Sequence, residues 1–470
     1  GTAVGDGIEV SALSDVYRKA GRDGVWCALG SVKSMIGHTK AAAGAASLVK
    51  ATMSLRHKVF PPTLKVTQPH PVLASGGTPF YLSMDKRPWL ASKDHPRRAA
   101  VSALGFGGTN FHTILEESNP DKTETDWDGD CDIVMLSGRD VSELAAKLSS
   151  WTAAKSWDQV RIDAVASRKS FNGNEACRIT LVLEKSSDFV AVAKKAVALL
   201  ASNASNPSWS SPEGIYFGSG KPGKLGVLFP GQGAQYVGMS RDLACAFPES
   251  FSALSEADAA FEGGKSLSDY MFPRPAWTPE QKEAQDKELR STDVAQPALG
   301  AAALAAWRAL ERFGVKADAA AGHSYGELVA LHVAGRIDAE TLHALSGLRG
   351  RLMKGDGSDK GSMLAVVAAY EEVNKIVDEE KLDLVIANRN APAQNVLSGA
   401  TAEIERAEKL LSARGLKAVR LPVAAAFHSA LVAPALKPFA AALAKIAFTK
   451  ALLPVYANST GEVYPEEAKK

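Results

Sequence analysis

Apolar and polar positions change rhythm three times along the chain. Residues 1–117 carry compact apolar runs broken by glycine and other small residues. Residues 118–130, SNPDKTETDWDGD, are polar, acidic and rich in turn formers, and read as a linker. In 131–220, CDIVMLSG predicts a strand, DVSELAAKLSSW a helix, CRITLVLE a second strand, and FVAVAKKAVALLAS follows it. That alternation predicts a small α/β or α+β unit without evident catalytic residues. From Leu225, LGVLFPGQGAQYVGM reads as an apolar strand, a glycine-rich turn and a helix. Strand and helix patterns then alternate, as a largely parallel sheet requires.

Composition narrows the class. A chain of 470 residues has room for roughly two to four domains. The formal net charge of +2 gives no support to a nucleic-acid partner, and no basic run is interleaved with aromatics. The four cysteines, Cys27, Cys131, Cys177 and Cys245, lie far apart and form no CxxC pair. This argues against a zinc site or disulfide framework and fits a reducing compartment. No apolar segment approaches membrane-spanning length and the start lacks a signal-peptide pattern. The expectation is a cytoplasmic protein with no metal and no membrane association.

The clearest chemistry lies in 320–337, AAGHSYGELVALHVAGRI. Ser324 sits between Gly322 and Gly326 in the pattern of a nucleophile elbow, a sharp strand-to-helix turn that lifts a hydroxyl clear of the backbone. The flanks agree: VKADAAAG can end a strand, and ELVALHVAG has helical spacing up to a glycine stop. Such a serine needs a base. His323 reads as structural, because neighbours in an elbow point apart. His332 and His343 fall on helical stretches. His428, in LPVAAAFHSALVAPA, ends a run of small apolar residues; it is either that base or a satisfied histidine at a helix start. The glycine-rich turn FPGQGAQ can supply backbone N–H groups to an oxyanion, or cradle a phosphate, although it lacks the P-loop and GxGxxG spacings. Arg349, in LSGLRGRLM, is either a solvated helix residue or an inward fork for a carboxylate. Chain order, Ser324 before His428, also matches a serine hydrolase.

Taken in order, FPGQGAQ, VAQPALGAAAL, GHSYGE, LRGRLM, AAFHSALV and YANSTGEVY resemble the malonyl-CoA:acyl-carrier-protein acyltransferase domains of fatty-acid and polyketide synthases. The resemblance runs from about Leu225 to the end. It implies that Ser324 carries the acyl ester, with His428 as general base and the backbone N–H groups of Gln232 and Tyr325 as the oxyanion hole. Arg349 would hold the malonyl carboxylate, and Gln296 would line the same pocket. Phe427, one residue from the base, would fill the space needed by an α-methyl group. The family orients its histidine through a main-chain carbonyl, a position matched by Asn458. The implied fold is an α/β-hydrolase-like core in 222–470 with a ferredoxin-like insert at about 357–421. Malonyl-CoA is the implied donor and an acyl carrier protein bearing phosphopantetheine the acceptor, with no bound cofactor.

The N-terminal motifs GTAVGDGIE, GSVKSMIGHTKAAAGAASLVK, FPPTL and RRAAVSALGFGGTNFHTILEE resemble the C-terminal part of a ketosynthase, a thiolase-like condensing domain, over 1–117. Lys33 and His38 match its active-site positions. Its cysteine nucleophile and first catalytic histidine would lie upstream, and Cys27 is not in the nucleophile's context, so no condensation is expected. Residues 118–221 would be the linker domain joining ketosynthase to acyltransferase. Both ends are expected to be cut, with the other synthase domains as partners and a homodimer forming through a complete ketosynthase. The motifs are closest to those of iterative polyketide and polyunsaturated-fatty-acid synthases. Two alternatives stay open: a serine thioesterase or hydrolase, which would need an Asp or Glu partner for its histidine, and a non-catalytic docking scaffold for 1–220.

Overall fold

The strand Gly226–Phe229 pairs in parallel with Ala319–Gly322, which pairs in parallel with Val455–Tyr456. All three strands end near one edge, where the loops after Phe229, Gly322 and Tyr456 converge. The structure is a computed structural model and describes residues 3–74, 76–92, 94–105, 108–354, 361–421, 423 and 425–466. The chain divides into two units, one comprising Gly1–Asp126 with Leu225–Lys470 and the other Trp127–Lys224.

Around the parallel sheet pack the helices Thr292–Arg312, Gly326–Val333 and Ala339–Lys354. Their core joins Phe229, Leu299, Ala320, Tyr325, Leu328, Val329, Leu342, Leu345 and Val455. Alanine and glycine dominate the first part of the long helix, where Ala295, Ala298 and Ala301 are fully buried and let neighbouring backbones approach closely.

Residues 362–420 form a β-α-β-β-α-β insert. Its strands are Ser362–Val367, Leu384–Ala391, Gln394–Gly399 and Lys417–Arg420, in spatial order second, third, first, fourth, all antiparallel. Helices Tyr370–Glu379 and Thr401–Ala413 cover one face through Val373, Ile376, Ile404, Ala407 and Leu411. This is the ferredoxin-like order. The expected first residues of the insert, 357–360, lie outside the described residues.

The N-terminal part contributes helices Ala3–Tyr17 and Ala43–His57 and a two-stranded antiparallel ribbon, Arg98–Leu104 with Asn110–Glu116. Residues 118–126, whose composition reads as the start of a linker, are tied into the same unit. Buried Lys58 and Arg97 both pair with buried Glu117, at 2.7 and 2.6 Å, and Asp126 accepts from Lys122 and contacts His57. The Asp126 N–H also donates to Ala246 C=O at 2.8 Å.

In the second unit, strands Cys131–Gly138, Cys177–Glu184, Ile215–Ser219 and Ser208–Ser211 lie in that spatial order, antiparallel throughout. Asp140, Ser156 and Asp188 cap its three helices by accepting from backbone N–H groups. Leu144, Leu148, Leu181, Leu183, Leu200 and Ile215 fill its core.

Candidate active site

Ser324 follows the strand Ala319–Gly322 and precedes the helix Gly326–Val333, with φ of 51° in the left-handed region. A serine held there is strained, and the surrounding close packing enforces it. A Cβ on Gly322 would lie 2.0 Å from the Gly326 carbonyl carbon, and one on Gly326 would lie 2.2 Å from the Phe229 oxygen. Only glycine fits at either position. The turn closes through Gly326 N–H to His323 C=O at 2.9 Å and Glu327 N–H to Ser324 C=O at 3.2 Å. The loop after Phe229 packs on the same turn, since a Cβ on Gly231 would lie 2.5 Å from the His323 oxygen.

His428 Nε2 is 3.0 Å from Ser324 Oγ. Of the two readings of this histidine, the structure brings it to the serine. It too has positive φ, 60°. Two hydrogen bonds fix the turn around it: Ser398 Oγ, from the insert, donates to Phe427 C=O at 2.7 Å, and Ser429 Oγ donates to Ala426 C=O at 2.7 Å. Burial pushes the imidazole below its ordinary value, and the positive charge of Arg349 and neighbouring His323 push the same way; Glu327 partly opposes them. The neutral form, with a lone pair free to accept the serine proton, is therefore favoured.

Arg349 lies on the helix Ala339–Lys354, and its Nη2 reaches Ser324 Oγ at 3.4 Å. Burial lowers its guanidinium below the ordinary value, opposed by Tyr325 and Glu327. Among the described residues it has no carboxylate at ion-pair distance. A desolvated cation without a counter-charge is costly unless a ligand supplies one. The guanidinium thus lies half-buried beside the serine hydroxyl.

Tyr325 is fully buried, and its phenol meets Ser346 Oγ at 2.6 Å, in space that Gly300 leaves open. Burial raises the phenol strongly, so it stays protonated. What Tyr325 can offer the site is its backbone N–H. Among the described residues neither that N–H nor the N–H of Gln232 has a protein acceptor. Gln296 is 1% exposed; its Nε2 donates to Gln232 Oε1 at 3.3 Å, and its own Oε1 has no partner among the described residues. Phe427 is buried against Met363, Val396 and Ala425, with Met353 alongside.

Asn458 serves the elbow through its side chain. Its Oδ1 accepts from Ser324 N–H at 3.3 Å and its Nδ2 donates to Gly322 C=O. Glu327 anchors this segment by accepting from Asn458 N–H at 2.8 Å and the Tyr464 hydroxyl at 2.7 Å. Glu327 and Ser398 escape sequence reading because nothing local marks them. His323 turns away from the serine toward the insert, with Nε2 3.2 Å from Asn390 Oδ1.

Lys33 and His38 are remote from these groups. Lys33 opens the short helix Lys33–Ile36, and exposed His38 accepts from Lys40 N–H at 2.9 Å. Both line a cleft of about 2740 Å3 that also includes Cys27 but not Ser324. Burial pushes the Cys27 thiol up to about 11, which keeps it protonated and poorly nucleophilic. Among the described residues no cluster of His, Cys, Asp and Glu could hold a metal ion. No helix there is long and apolar enough to cross a membrane.

Known proteins resemble this chain along its length. Residues 1–67 match the C-terminal domain of beta-ketoacyl synthases. One polyunsaturated fatty acid synthase subunit of Thraustochytrium sp. is 32% identical over 507 residues, covering 100% of this chain and 18% of that protein. Polyketide synthase GfsA of Streptomyces halstedii is 34% identical, covering 98% of this chain and 6% of that protein. The chain thus spans less than a quarter of the curated relatives it matches. The acyltransferase domain from the second module of the salinomycin polyketide synthase is 32% identical with a TM-score of 0.51, covering 71% of this chain and 75% of that one. The acyltransferase domain of an iterative polyketide synthase in enediyne biosynthesis is 25% identical with a TM-score of 0.55, covering 72% and 77%. Residues 227–467, which contain the elbow, His428 and Arg349, match the acyl transferase domain family, and the chain belongs to it.

Proposed function

We propose that this chain loads malonyl groups: it moves them from malonyl-CoA, through an ester on Ser324, to the phosphopantetheine thiol of an acyl carrier protein. The observation that carries the reading is Arg349, a desolvated guanidinium beside Ser324 Oγ with no carboxylate partner among the described residues. A malonyl thioester presents the carboxylate that such a group lacks. In the forward step His428 Nε2 takes the Ser324 proton as Oγ bonds to the thioester carbon. The tetrahedral oxyanion is held by the N–H groups of Gln232 and Tyr325. The C–S bond then breaks, and coenzyme A leaves as a thiol with the proton from His428. The carrier's thiol reverses the sequence, giving its proton to His428 and displacing Ser324.

Gln296 lines the acyl pocket in this reading and Phe427 limits the α-carbon substituent, while Asn458, expected to orient the histidine, has its hydrogen bonds among the described residues with the elbow and Glu327 rather than with the His428 ring. The linker domain is the compact unit Trp127–Lys224, with residues 118–126 going to the part that precedes it. The N-terminal part, with Lys33 and His38, is like the C-terminal domain of a ketosynthase, and in a synthase it would serve docking and dimerisation. The site is cytoplasmic, where malonyl-CoA and carrier proteins meet. Hydrolysis by a serine triad is less favoured: among the described residues the hydrogen bond of the His428 ring goes to Ser324, and no carboxylate bonds it. The test is incubation with malonyl-CoA labelled in the acyl group. Label should stay covalently on Ser324, vanish in Ser324→Ala, and pass to an added phosphopantetheinylated carrier protein. Label retained by the alanine variant, or released only as free malonate, overturns the proposal.

A further inference from the structure

The oxyanion loop has an anchor that the sequence motifs do not mark. Thr292 opens the long helix Thr292–Arg312 and is 1% exposed. Gln232 Nε2 donates to Thr292 Oγ1 at 3.3 Å, and Gln232 Oε1 accepts from Gln296 Nε2 at 3.3 Å. Gln296 Nε2 also reaches Met353 Sδ at 3.7 Å, on the helix that carries Arg349. The backbone makes a second link between the same parts: a Cβ on Gly350 would lie 2.8 Å from the Thr292 oxygen and 2.9 Å from Asp293 Cα. The arginine helix and the start of the Thr292 helix are therefore packed backbone to backbone, one residue from Arg349.

We propose that Thr292 is a positioning residue for acyl transfer: its hydroxyl holds the Gln232 side chain, and so sets the Gln232 backbone N–H against the carboxylate clamp of Arg349. This rests on the reading that the Gln232 amide stabilises the oxyanion. Gln232 sits in a glycine-flanked turn, Gly231-Gln232-Gly233, in which Gly233 has φ of 115° and donates its N–H to Gln235 Oε1 at 2.7 Å, while Ala234 N–H donates to Gly231 C=O at 3.4 Å. The side chain adds a brace of its own to this turn, one bond to each of two buried partners. Freeing one end removes part of that brace from the residue whose N–H must already be in place to act as an oxyanion donor. The effect belongs to the transition state, so it should appear in the chemical step rather than in donor binding.

The test is single-turnover acylation of Ser324 in the full chain with labelled malonyl-CoA. Thr292→Val keeps shape and removes the hydroxyl. It should slow acylation at saturating donor about tenfold, with the half-saturating concentration within about twofold. Thr292→Ser should restore the rate to within about twofold, because the hydroxyl returns. Gln232→Met cuts the same contact from the other side and carries the test if Thr292→Val does not fold. In the double variant the loss should match that of Gln232→Met alone, which already lacks the bond to Thr292 as well as the one from Gln296. Equal losses in the valine and serine variants, a wild-type rate in the valine variant, or multiplied losses in the double variant would each overturn the inference. Failure of the underlying reading is separate: the unsubstituted chain would then take no malonyl label on Ser324 at all.

Discussion

Replacing Arg349 with alanine separates a carboxylate clamp from a structural arginine. The guanidinium is desolvated, lies 3.4 Å from Ser324 Oγ, and has no carboxylate partner among the described residues. Hydrogen bonds between charged partners contribute about 1.5–3 kcal/mol, and stranding one buried charge of a pair costs about 3–5 kcal/mol. Arg349 is half-buried, so the smaller figure applies, about 1.5–3 kcal/mol. At about 1.36 kcal/mol per decade this is roughly 10- to 160-fold in kcat/KM for malonyl-CoA. Acetyl-CoA has no carboxylate to strand. For it the change removes an uncompensated cation, and its kcat/KM should hold or rise.

The assay is competition: one enzyme sample, equal malonyl-CoA and acetyl-CoA, and the ratio of the two acyl-enzymes read by intact mass. Arg349→Lys should fall between wild type and alanine, because an ammonium keeps the charge but not the planar fork. If both donors lose the same factor, the arginine acts on Ser324 or on the packing of its helix, and it clamps no carboxylate.

Three further expectations follow from the same geometry. His428 must be neutral to accept a proton, and burial holds it below the ordinary value of about 6.5, so acylation should stay level down to about that pH and fall only below it; an apparent pKa above about 7 in rapid-quench profiles contradicts this. Gly326→Ala puts a Cβ 2.2 Å from the Phe229 oxygen and 2.8 Å from that of Pro230, so Ser324 labelling should drop more than about tenfold with a lower Tm, and wild-type labelling would show that the elbow tolerates a side chain. Phe427→Ser should raise methylmalonyl loading relative to malonyl, by no more than about 1–3 kcal/mol of discrimination. Because the ring also seals Met363, Val396 and Ala425, the same change should lower Tm, and a shifted Tm with an unmoved loading ratio would make Phe427 a core residue alone.

Legibility in the sequence followed the range of the interactions. The elbow was readable because its geometry is local: two glycines within five residues are the condition for Ser324 to turn outward. The insert was readable through its resemblance, and its first helix is strongly two-faced, with Val373, Ile376 and Val377 buried on one side. His428 could not be placed from its own segment. What brings it to Ser324 is a hydrogen bond from Ser398, a residue in the third strand of the insert, across 29 positions of chain. Thr292 and Glu327 act through partners 60 and 131 positions away, and no periodicity records such pairs. Composition misread residues 118–126 for a similar reason. Their charges look solvated in the sequence, yet Lys122 is buried and paired with Asp126, beside His57.

The absence of a carboxylate behind His428, among the described residues, is intelligible from the proposed leaving group. A peptide or oxygen ester expels a strongly basic amine or alkoxide, and a hydrolase histidine must be held as a competent acid for that step by an anionic partner. A thioester expels a thiolate whose conjugate acid has a pKa of about 8.5, so little proton-transfer assistance is needed. A carboxylate at the ring would raise the imidazole. Burial and the nearby charge of Arg349 do the opposite here. In the proposed reading, the arginine that would answer the malonyl carboxylate adds its charge to the larger effect of burial in keeping the base neutral. A bound malonyl carboxylate would offset that charge and leave the imidazole more basic toward Ser324.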